Sequence, residues 1–426
     1  MVLPHVGVAA YRPHPRLVVG LAALTVLTLT VLDLRGGHSL DLEVYRQGAA
    51  GLLAGTDDLY APAGRLPFTY PPFAAGLFVV VELLPSWALA PVMALASLGA
   101  LYVVLRRAVP ALAQDVLWVA PALVAAVLLE PVAATLSFGQ VNLILVMLVM
   151  LDLAGPRSTR WGGVLVGVAA GIKLTPAIFL VVLACRRDWA GLARATATMG
   201  ATVAAGFMVL PRSSTTYWTS TITNAERVGD LAYQANQSLT GSVWRLTGGG
   251  NTALTATLSL IVVVVLVTTL LRMGRAADRL TAVVLAALAG LLISPISWSH
   301  HWVWLVPVIG WLIRPLLGTG RPTRGAPLLS SASSWWLAMA WAAACYAPTL
   351  WWTRSGDHHN VAVNLAVVLT TNSYVILGLV TFGAITARVW SPRRLPELAS
   401  TDGARVSLGG RLPRPGPRAT TGPIAS

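Results

Sequence analysis

The stretch that decides how this chain is interpreted is Ser39–Phe73, SLDLEVYRQGAAGLLAGTDDLYAPAGRLPFTYPPF. It is the one long polar interval in the first half of a strongly apolar sequence, and it follows a hydrophobic segment at 17–34. At about 1.5 Å of rise per residue, that segment is about long enough to cross a bilayer as a helix. The polar stretch therefore lies at a membrane surface, where a membrane enzyme needs its ionisable groups.

The composition predicts an all-α polytopic membrane protein. The sequence is 56% hydrophobic and 11% charged, with a mean hydropathy of +0.70, and a soluble domain needs far more charge on its surface. The net charge of +14 comes mainly from arginines in short loops between apolar segments. This distribution is typical of cytoplasmic anchors and argues against a nucleic-acid partner. Cys185 and Cys345 both lie in apolar runs, which does not indicate a disulfide framework.

The apolar segments predict about twelve crossings with both termini in the cytoplasm, because most arginines then face inward. A segment at 70–85 is interpreted as interfacial or re-entrant. Residues 1–390 are predicted to form a single transmembrane domain with an outer loop at 36–69, and 391–426 a disordered basic tail. The predicted crossings are 17–34, 87–105, 116–134, 141–154, 162–172, 176–185, 190–211, 253–272, 280–293, 301–313, 334–351 and 363–387.

This topology brings five polar regions to the outer side of the membrane: the first loop, 130–142, Lys173, 212–251 and 294–301. Lys173 is the only lysine in the sequence, and it lies at the expected break between the short segments 162–172 and 176–185. A charge at such depth is costly unless it is paired, so it often marks a functional site. Lys173 is therefore interpreted as a phosphate ligand, with a snorkelling anchor as the alternative.

Two further kinds of side chain are candidates for chemistry. His300 and His301 lie in SPISWSHHWVW, where one of them can serve as a hydrogen-bond partner or proton carrier; the alternative is an aromatic interfacial belt. A single carboxylate at the mouth of the first apolar segment, such as Asp41, is suited to be a general base; the alternative is a solvated surface charge. Asp41 and Glu43 do not share a helix face, and the sequence has no metal-binding, P-loop or dinucleotide motif, so no metal or nucleotide site is expected.

Four blocks in order carry a resemblance to a known family: DLEVYRQGAAGLLAG with LPFTYPPFAA, then FGQVNLILVMLVMLDLAG, then GIKLTPAIF, then SPISWSHHWVWLVP. Together they resemble the polyprenol-phosphate-mannose-dependent α-(1→2)-mannosyltransferases of actinobacterial envelopes, within the GT-C superfamily. The resemblance covers roughly 15–390. It implies a GT-C fold in a multi-pass plasma-membrane protein whose site faces the periplasm.

The resemblance also implies a reaction. Mannose would pass, with inversion, from polyprenyl-phosphate mannose to a lipid-linked mannoside such as a phosphatidylinositol mannoside or lipomannan. Asp41 would be the general base, with Asp57 or Asp58 as the fallback. Lys173 would bind the leaving phosphate, and His300 or His301 would orient the base or touch phosphate. Neither a cofactor nor a divalent metal is expected. The further candidates for binding sugar or phosphate are Tyr45, Arg46, Gln140 and Asn142.

Other functions fit parts of the same pattern. A polyprenyl-phosphate-arabinose-dependent arabinofuranosyltransferase would keep the chemistry and change the sugar. A lipid-linked-sugar flippase would explain broken helices and a buried lysine, although no repeat relates the two halves and the polar outer loop would have no role. A structural membrane scaffold would not need Lys173 at a helix break.

Overall fold

The computed structural model describes residues 40–61, 66–113, 118–155, 160–275, 278–317, 329–352 and 365–391, together with Gly20. Across these residues the regular structure is helical, and an isolated β-bridge joins Asn236 to Trp298. The α-helices are α1 (Leu40–Leu53), α2 (Pro72–Glu82), α3 (Ser86–Ala108), α4 (Val119–Val127), α5 (Glu130–Phe138), α6 (Asn142–Leu153), α7 (Val164–Ile172), α8 (Phe179–Cys185), α9 (Trp189–Val209), α10 (Pro211–Thr219), α11 (Leu239–Thr247), α12 (Thr252–Met273), α13 (Arg279–Ile293), α14 (Leu305–Ile313), α15 (Ser331–Tyr346), α16 (Leu365–Thr371) and α17 (Ser373–Trp390). Short 3-10 helices are formed by Pro110–Ala113, Thr175–Ile178, Thr221–Thr223, Ala225–Val228, Ser299–Trp304 and Thr349–Trp351.

Within the described ranges, four helices are long and apolar enough to cross a membrane: α3, α9, α12 and α17. The pair α4 and α5 would add a fifth span, although it is bent by 77°. The chain is therefore a multi-pass helical membrane protein. The count of about twelve crossings and the GT-C fold stay predictions. The predicted first crossing at 17–34 and the tail after Ser391 lie outside the described residues.

Several predicted crossings prove to be interrupted, two of them by a break between α-helices. The segment 116–134 was expected to be continuous, but Val119–Val127 and Glu130–Phe138 are separate helices that meet at the 77° bend. The segment 363–387 is likewise divided into α16 and α17 at Asn372. Hydropathy follows side chains and not backbone direction, so it does not distinguish a bent apolar segment from a straight one.

The predicted break at Lys173 is present. Helix α7 ends at Ile172, and Lys173 takes an extended conformation with φ −144° and ψ 131°. The 3-10 helix Thr175–Ile178 follows, with Pro176 in its first turn, and leads into α8. A continuous helix is disfavoured here, because Pro176 has no N–H to donate to the carbonyl of Ile172 and its ring would clash with that carbonyl. The result is a charged side chain held between two apolar helices.

Glycine packing sets how close α7 lies to α9. Gly163, Gly167 and Gly171 recur every four residues and share one helix face. A Cβ built on Gly167 would lie 2.5 Å from the carbonyl oxygen of Ala195, and one on Gly171 would lie 2.7 Å from Cβ of Thr202. Small residues at this spacing let helix backbones approach closely in a membrane. The contact fixes the helix that carries Lys173 at its end.

Arginines gather at one end of several helices, where they bind carbonyl oxygens at helix termini. Arg314 Nε donates to the carbonyl of Ala108 at 3.1 Å, and Arg275 Nε to that of Arg186 at 3.0 Å. Arg194 Nε donates at 2.6 Å to the carbonyl of Gly162, which lies in the turn before α7 and not at a helix carboxyl end. Cations at helix carbonyl ends satisfy unpaired acceptors and the helix dipole. The candidate site lies at the other ends of α6, α8 and α14, which start next to its residues.

Candidate active site

A cavity of about 550 Å³ lies where the polar regions of the sequence meet. Its wall is formed by the start of α1, the segment 66–71, α5 with Gln140, residues 173–175, the segment 217–235, the turn 294–301 and Trp351. All five regions expected to converge contribute to this wall. Asp41, Gln140, Lys173, His300 and His301 are among the lining residues.

Gln140 joins Asp41 to the rest of the site. Its side chain hydrogen-bonds the Asp41 carboxyl, and its Oε1 lies 3.0 Å from the Tyr70 hydroxyl and 3.2 Å from that of Tyr45. Since these hydroxyls occupy the oxygen of the amide, the amide nitrogen faces Asp41 and also lies 3.5 Å from His300 Nε2. The amide therefore donates toward both the carboxylate and the imidazole.

The electrostatics of Asp41 suit proton abstraction. Burial raises the pKa of this carboxyl above its ordinary value, while the hydrogen bond from Gln140 and the positive charge of Lys173 each lower it. Burial is the largest of the three effects, so the net shift is upward. A carboxylate with a raised pKa is a stronger base, while Gln140 and Lys173 both favour its ionised form.

Lys173 is held by side chains from two other elements. Its Nζ donates to Asn142 Oδ1 at 3.0 Å and lies 3.1 Å from His301 Nε2. It also lies 5.5 Å from the centre of the Tyr70 ring, within the range of a cation–π contact. The ammonium group has no carboxylate within salt-bridge distance in the described parts of the chain. It is therefore a half-buried cation held by neutral groups, which is suited to bind an anion.

The two histidines lie on the 3-10 helix Ser299–Trp304, which packs against α5. His301 is hydrogen-bonded to the backbone of Ile296, which places its proton on Nδ1 and leaves Nε2 to accept from Lys173. The carbonyl oxygen of His300 accepts from Thr135 Oγ1 at 2.9 Å and from Asn142 Nδ2 at 3.1 Å. The imidazole of His300 thus faces Gln140, while that of His301 faces Lys173.

Some predicted site residues support the cavity without lining it. Tyr45 is fully buried, and its ring stacks on Phe78 at a centroid distance of 4.1 Å. Asn142 contacts Lys173 and lines a smaller adjoining cavity. Arg46 forms an ion pair with Glu82, with Nε 2.8 Å from Oε2. Their roles toward a substrate stay predictions.

The fallback bases lie elsewhere. Asp57 accepts hydrogen bonds from the backbone nitrogens of Arg212 at 2.7 Å and Ser213 at 2.8 Å. It thereby satisfies donors at the start of α10. Asp58 is exposed, and neither carboxylate lines the cavity. Neither Asp57 nor Asp58 therefore belongs to the cavity-lining side chains around Asp41.

Sequence reasoning missed three residues of the site: Tyr70, Glu130 and Trp351. Tyr70 contacts both Gln140 and Lys173, and its position before two prolines in TYPPF was the available signal. Glu130 and Trp351 both line the cavity and are hydrogen-bonded to each other. No sequence feature distinguishes Trp351 from the other tryptophans of its apolar segment. Across the described residues, no three His, Cys, Asp or Glu side chains lie close enough to hold a metal ion.

A half-buried carboxylate, a half-buried cation and a large cavity in a helical membrane protein define a class: membrane enzymes that act on amphipathic, anionic substrates. Comparison with known sequences makes the class specific. The profile of glycosyltransferase family 87 matches residues 68–295, which is more than half of the chain. The chain belongs to this family and is a glycosyltransferase.

Curated relatives extend over most of the sequence. A polyprenol-phosphate-mannose-dependent alpha-(1-2)-phosphatidylinositol pentamannoside mannosyltransferase from Mycolicibacterium smegmatis is 36% identical over 369 residues, covering 80% of this chain and 85% of the relative. A polyprenol-phosphate-mannose-dependent alpha-(1-2)-phosphatidylinositol mannoside mannosyltransferase from Mycobacterium tuberculosis is 34% identical over 394 residues, covering 84% and 88%. No solved structure matches the chain significantly. The resemblance to this group of mannosyltransferases is thereby confirmed.

Proposed function

We propose that this protein transfers mannose from polyprenyl-phosphate mannose to a phosphatidylinositol mannoside on the outer side of the plasma membrane, forming an α-(1→2) linkage. The names of the relatives support the donor and the acceptor. The observation that carries the proposal is that Asp41 and Lys173 line the same cavity without forming a salt bridge. They are close enough for the charge of the lysine to lower the pKa of the carboxyl. One base and one phosphate-binding cation are what a direct displacement at a sugar phosphate requires.

In the proposed reaction, Asp41 takes the proton of the acceptor 2-hydroxyl while that oxygen attacks C1 of the donor mannose. The bond between C1 and the phosphate oxygen breaks, and its electrons leave with polyprenyl phosphate. Attack from the side opposite the phosphate inverts C1, so a β-linked donor gives an α-linked product. Gln140 orients the carboxylate by its hydrogen bond. General-base catalysis of this kind contributes about 10²–10⁴-fold to the rate.

Lys173 would stabilise the negative charge that grows on the leaving phosphate. Its contacts with Asn142 and His301 hold the ammonium group in place before substrate binds. Lys173 and His301 also line the adjoining smaller cavity, whose other walls include Leu145, Phe179 and Trp304. This apolar surface beside the cation is compatible with a phosphate that carries a hydrocarbon chain.

The proposal is tested by transfer of labelled mannose from polyprenyl-phosphate mannose to phosphatidylinositol mannosides, with purified wild-type protein and Asp41→Asn. The substitution keeps the size of the side chain and removes the base, so transfer is expected to fall at least about a hundredfold. Glu43→Gln is the matched control: this exposed residue of the same helix does not line the cavity, its side chain accepts a hydrogen bond from Gln47 among the described residues, and the variant should retain activity.

Other outcomes would redirect the assignment. Near-normal transfer by Asp41→Asn, with loss in Asp58→Asn, would move the base to the fallback position. Transfer from polyprenyl-phosphate arabinose and not from the mannose donor would identify an arabinofuranosyltransferase. Absence of transfer from either donor, with movement of the intact lipid across vesicles, would favour a flippase.

A further inference from the structure

Glu130 is a carboxylate at the cavity wall that the proposed reaction does not use. It is the first residue of α5 and follows the 77° bend from α4. Its Oε1 accepts from Ser299 Oγ at 2.8 Å and from the Trp351 indole nitrogen at 3.3 Å. Its Oε2 accepts from the Tyr374 hydroxyl at 3.0 Å. One side chain therefore joins three parts of the chain that are distant in sequence.

The three donors are neutral, and no arginine or lysine of the described ranges forms a salt bridge with Glu130. A carboxylate can accept about four hydrogen bonds and donates none when ionised. A glutamine side chain at this position would have one acceptor oxygen and two N–H donors. Its amide nitrogen would therefore face at least one of the three donating groups. A carboxylate therefore accepts all three hydrogen bonds as they stand, whereas an amide keeps three only if the hydroxyl of Ser299 or Tyr374 turns to accept.

The hydrogen bond between Ser299 and Glu130 lies next to His300, the residue whose imidazole faces Gln140. Ser299 begins the 3-10 helix that carries both histidines, and the backbone of this helix departs from helical geometry at Trp302. Short 3-10 helices have weak internal hydrogen bonding. The hydrogen bonds from Ser299 Oγ to Glu130 and from Thr135 Oγ1 to the His300 carbonyl therefore hold the turn against α5.

We propose that Glu130 is a positioning residue for this site, one that fixes His300 beside Gln140 and Asp41 through Ser299 and fixes Trp351 at the cavity wall. Its effect on catalysis rests on the proposed mannosyl transfer. Its effect on the histidine turn does not, because the turn can be measured without turnover.

The first test measures the turn directly. Wild type, Glu130→Gln and Glu226→Gln are treated with diethyl pyrocarbonate, and the rate of carbethoxylation of His300 is followed by mass spectrometry. His300 is only 8% exposed, so it should react slowly in the wild type. Glu130→Gln should react several-fold faster, while Glu226→Gln should have no effect, because Glu226 is exposed and does not itself line the cavity. Equal rates in wild type and Glu130→Gln would overturn the proposal, whatever the activities.

The second test uses steady-state kinetics and a double-mutant cycle. Glu130→Gln should lower kcat by about tenfold to a hundredfold, because small misplacement of a catalytic group costs about this much, with KM for the donor changed less than about threefold. Ser299→Ala should have a smaller effect, and the double variant should be no slower than Glu130→Gln alone. Multiplicative losses would overturn the route through Ser299.

Folding is monitored by the melting temperature of each variant in detergent. A variant that melts early is replaced by Glu130→Asp, which keeps the acceptors and shortens the side chain; faster carbethoxylation is then expected with less loss of stability. A wild type with no mannosyl transfer would refute the proposed function, while the carbethoxylation rates would still support or refute the role of Glu130 in holding the turn.

Discussion

At the scale of single residues, each of the two charged groups, Asp41 and Lys173, is hydrogen-bonded to a neutral amide side chain. Tyr45 and Tyr70 fix the amide of Gln140, and the amide then donates to Asp41. Lys173 is held by Asn142 in the same way. Neutral donors and acceptors let both charges stay unpaired and available to substrate, which a direct ion pair between them would prevent.

The pH dependence of transfer should report Asp41. The carboxyl accepts a proton only when ionised, and burial raises its pKa, so activity should fall on acidification at a pH above the ordinary range for aspartate. The positive charge of Lys173 lowers this pKa. Lys173→Met should therefore move the acid limb of kcat/KM to still higher pH, besides reducing kcat.

The control for this prediction is Lys173→Arg, which keeps the charge and should leave the acid limb close to its wild-type position. The pH profile of any activity that Asp41→Asn retains should have no acid limb. An acid limb that is unmoved in Lys173→Met would show that the titration belongs to a group other than Asp41.

The sequence identified Lys173 and Asp41 in different ways. Lys173 is the only lysine and lies at a helix break, whereas Asp41 is one of several acidic residues in its loop and was chosen through the family resemblance; both line the cavity. Arg46 was also a candidate, but it pairs with Glu82. Charge pattern does not reveal which partner is near in space. Tyr70 and Glu130 were missed for the same reason, since their contacts lie 70 and 169 residues away along the chain.

At the scale of secondary-structure elements, the end of α5 decides where Gln140 lies. Gly139 ends the helix in the left-handed conformation with φ 68°, and a Cβ there would overlap the side chain of Leu42. Leu42 is the neighbour of Asp41 on α1. The turn after α5 is therefore packed directly against the helix that carries the proposed base.

Gly139→Ala should lower both stability and activity. The left-handed conformation costs an alanine about 1–2 kcal/mol, and overpacking against Leu42 adds about 1–3 kcal/mol. Gly248→Ala is a matched control, since Gly248 also ends a helix with φ 67° but has nothing within 4 Å of a new Cβ. Melting temperatures and transfer rates should fall further in Gly139→Ala; equal effects would show that only backbone strain matters.

The packing of α7 on α9 gives a second comparison. Alanine should be favoured over glycine by about 1 kcal/mol in a helix, so Gly200→Ala, with open space around a new Cβ, should be neutral or stabilising. Gly167→Ala should instead lower the melting temperature, because its Cβ meets the backbone of Ala195. A stabilising Gly167→Ala would mean that the two helices separate without cost.

The helices themselves were largely predictable, and their bends were not. Apolar length located α3, α9 and α12 within a few residues, and the proline after Lys173 marked the break between α7 and α8. The bend at Leu128–Leu129 has no glycine, and Pro131 comes after it. Because Glu130 and Ser299 are held together there, the bend depends on tertiary contacts that no local pattern contains.

At the scale of the whole molecule, the described helices have two chemically different ends. Helices α6, α8 and α14 start beside Asn142, Lys173 and His301 and end beside arginines that bind helix carbonyls. Positive residues are enriched on the cytoplasmic side of membrane proteins. This polarity supports the proposal that the cavity faces outward and receives a lipid-linked donor there.

Cysteine labelling should show this orientation. In a background with Cys185→Ala and Cys345→Ala, Thr223→Cys places an exposed thiol in the segment at the cavity end, and Arg160→Cys places one at the arginine end. A membrane-impermeant maleimide should label Thr223→Cys in intact spheroplasts and Arg160→Cys only after permeabilisation. The reverse pattern would place the cavity in the cytoplasm, and the acceptor would then have to be mannosylated on the inner leaflet. Retained transfer activity in both variants ensures that the labelled protein is folded, so the pattern reports the membrane orientation of the working enzyme.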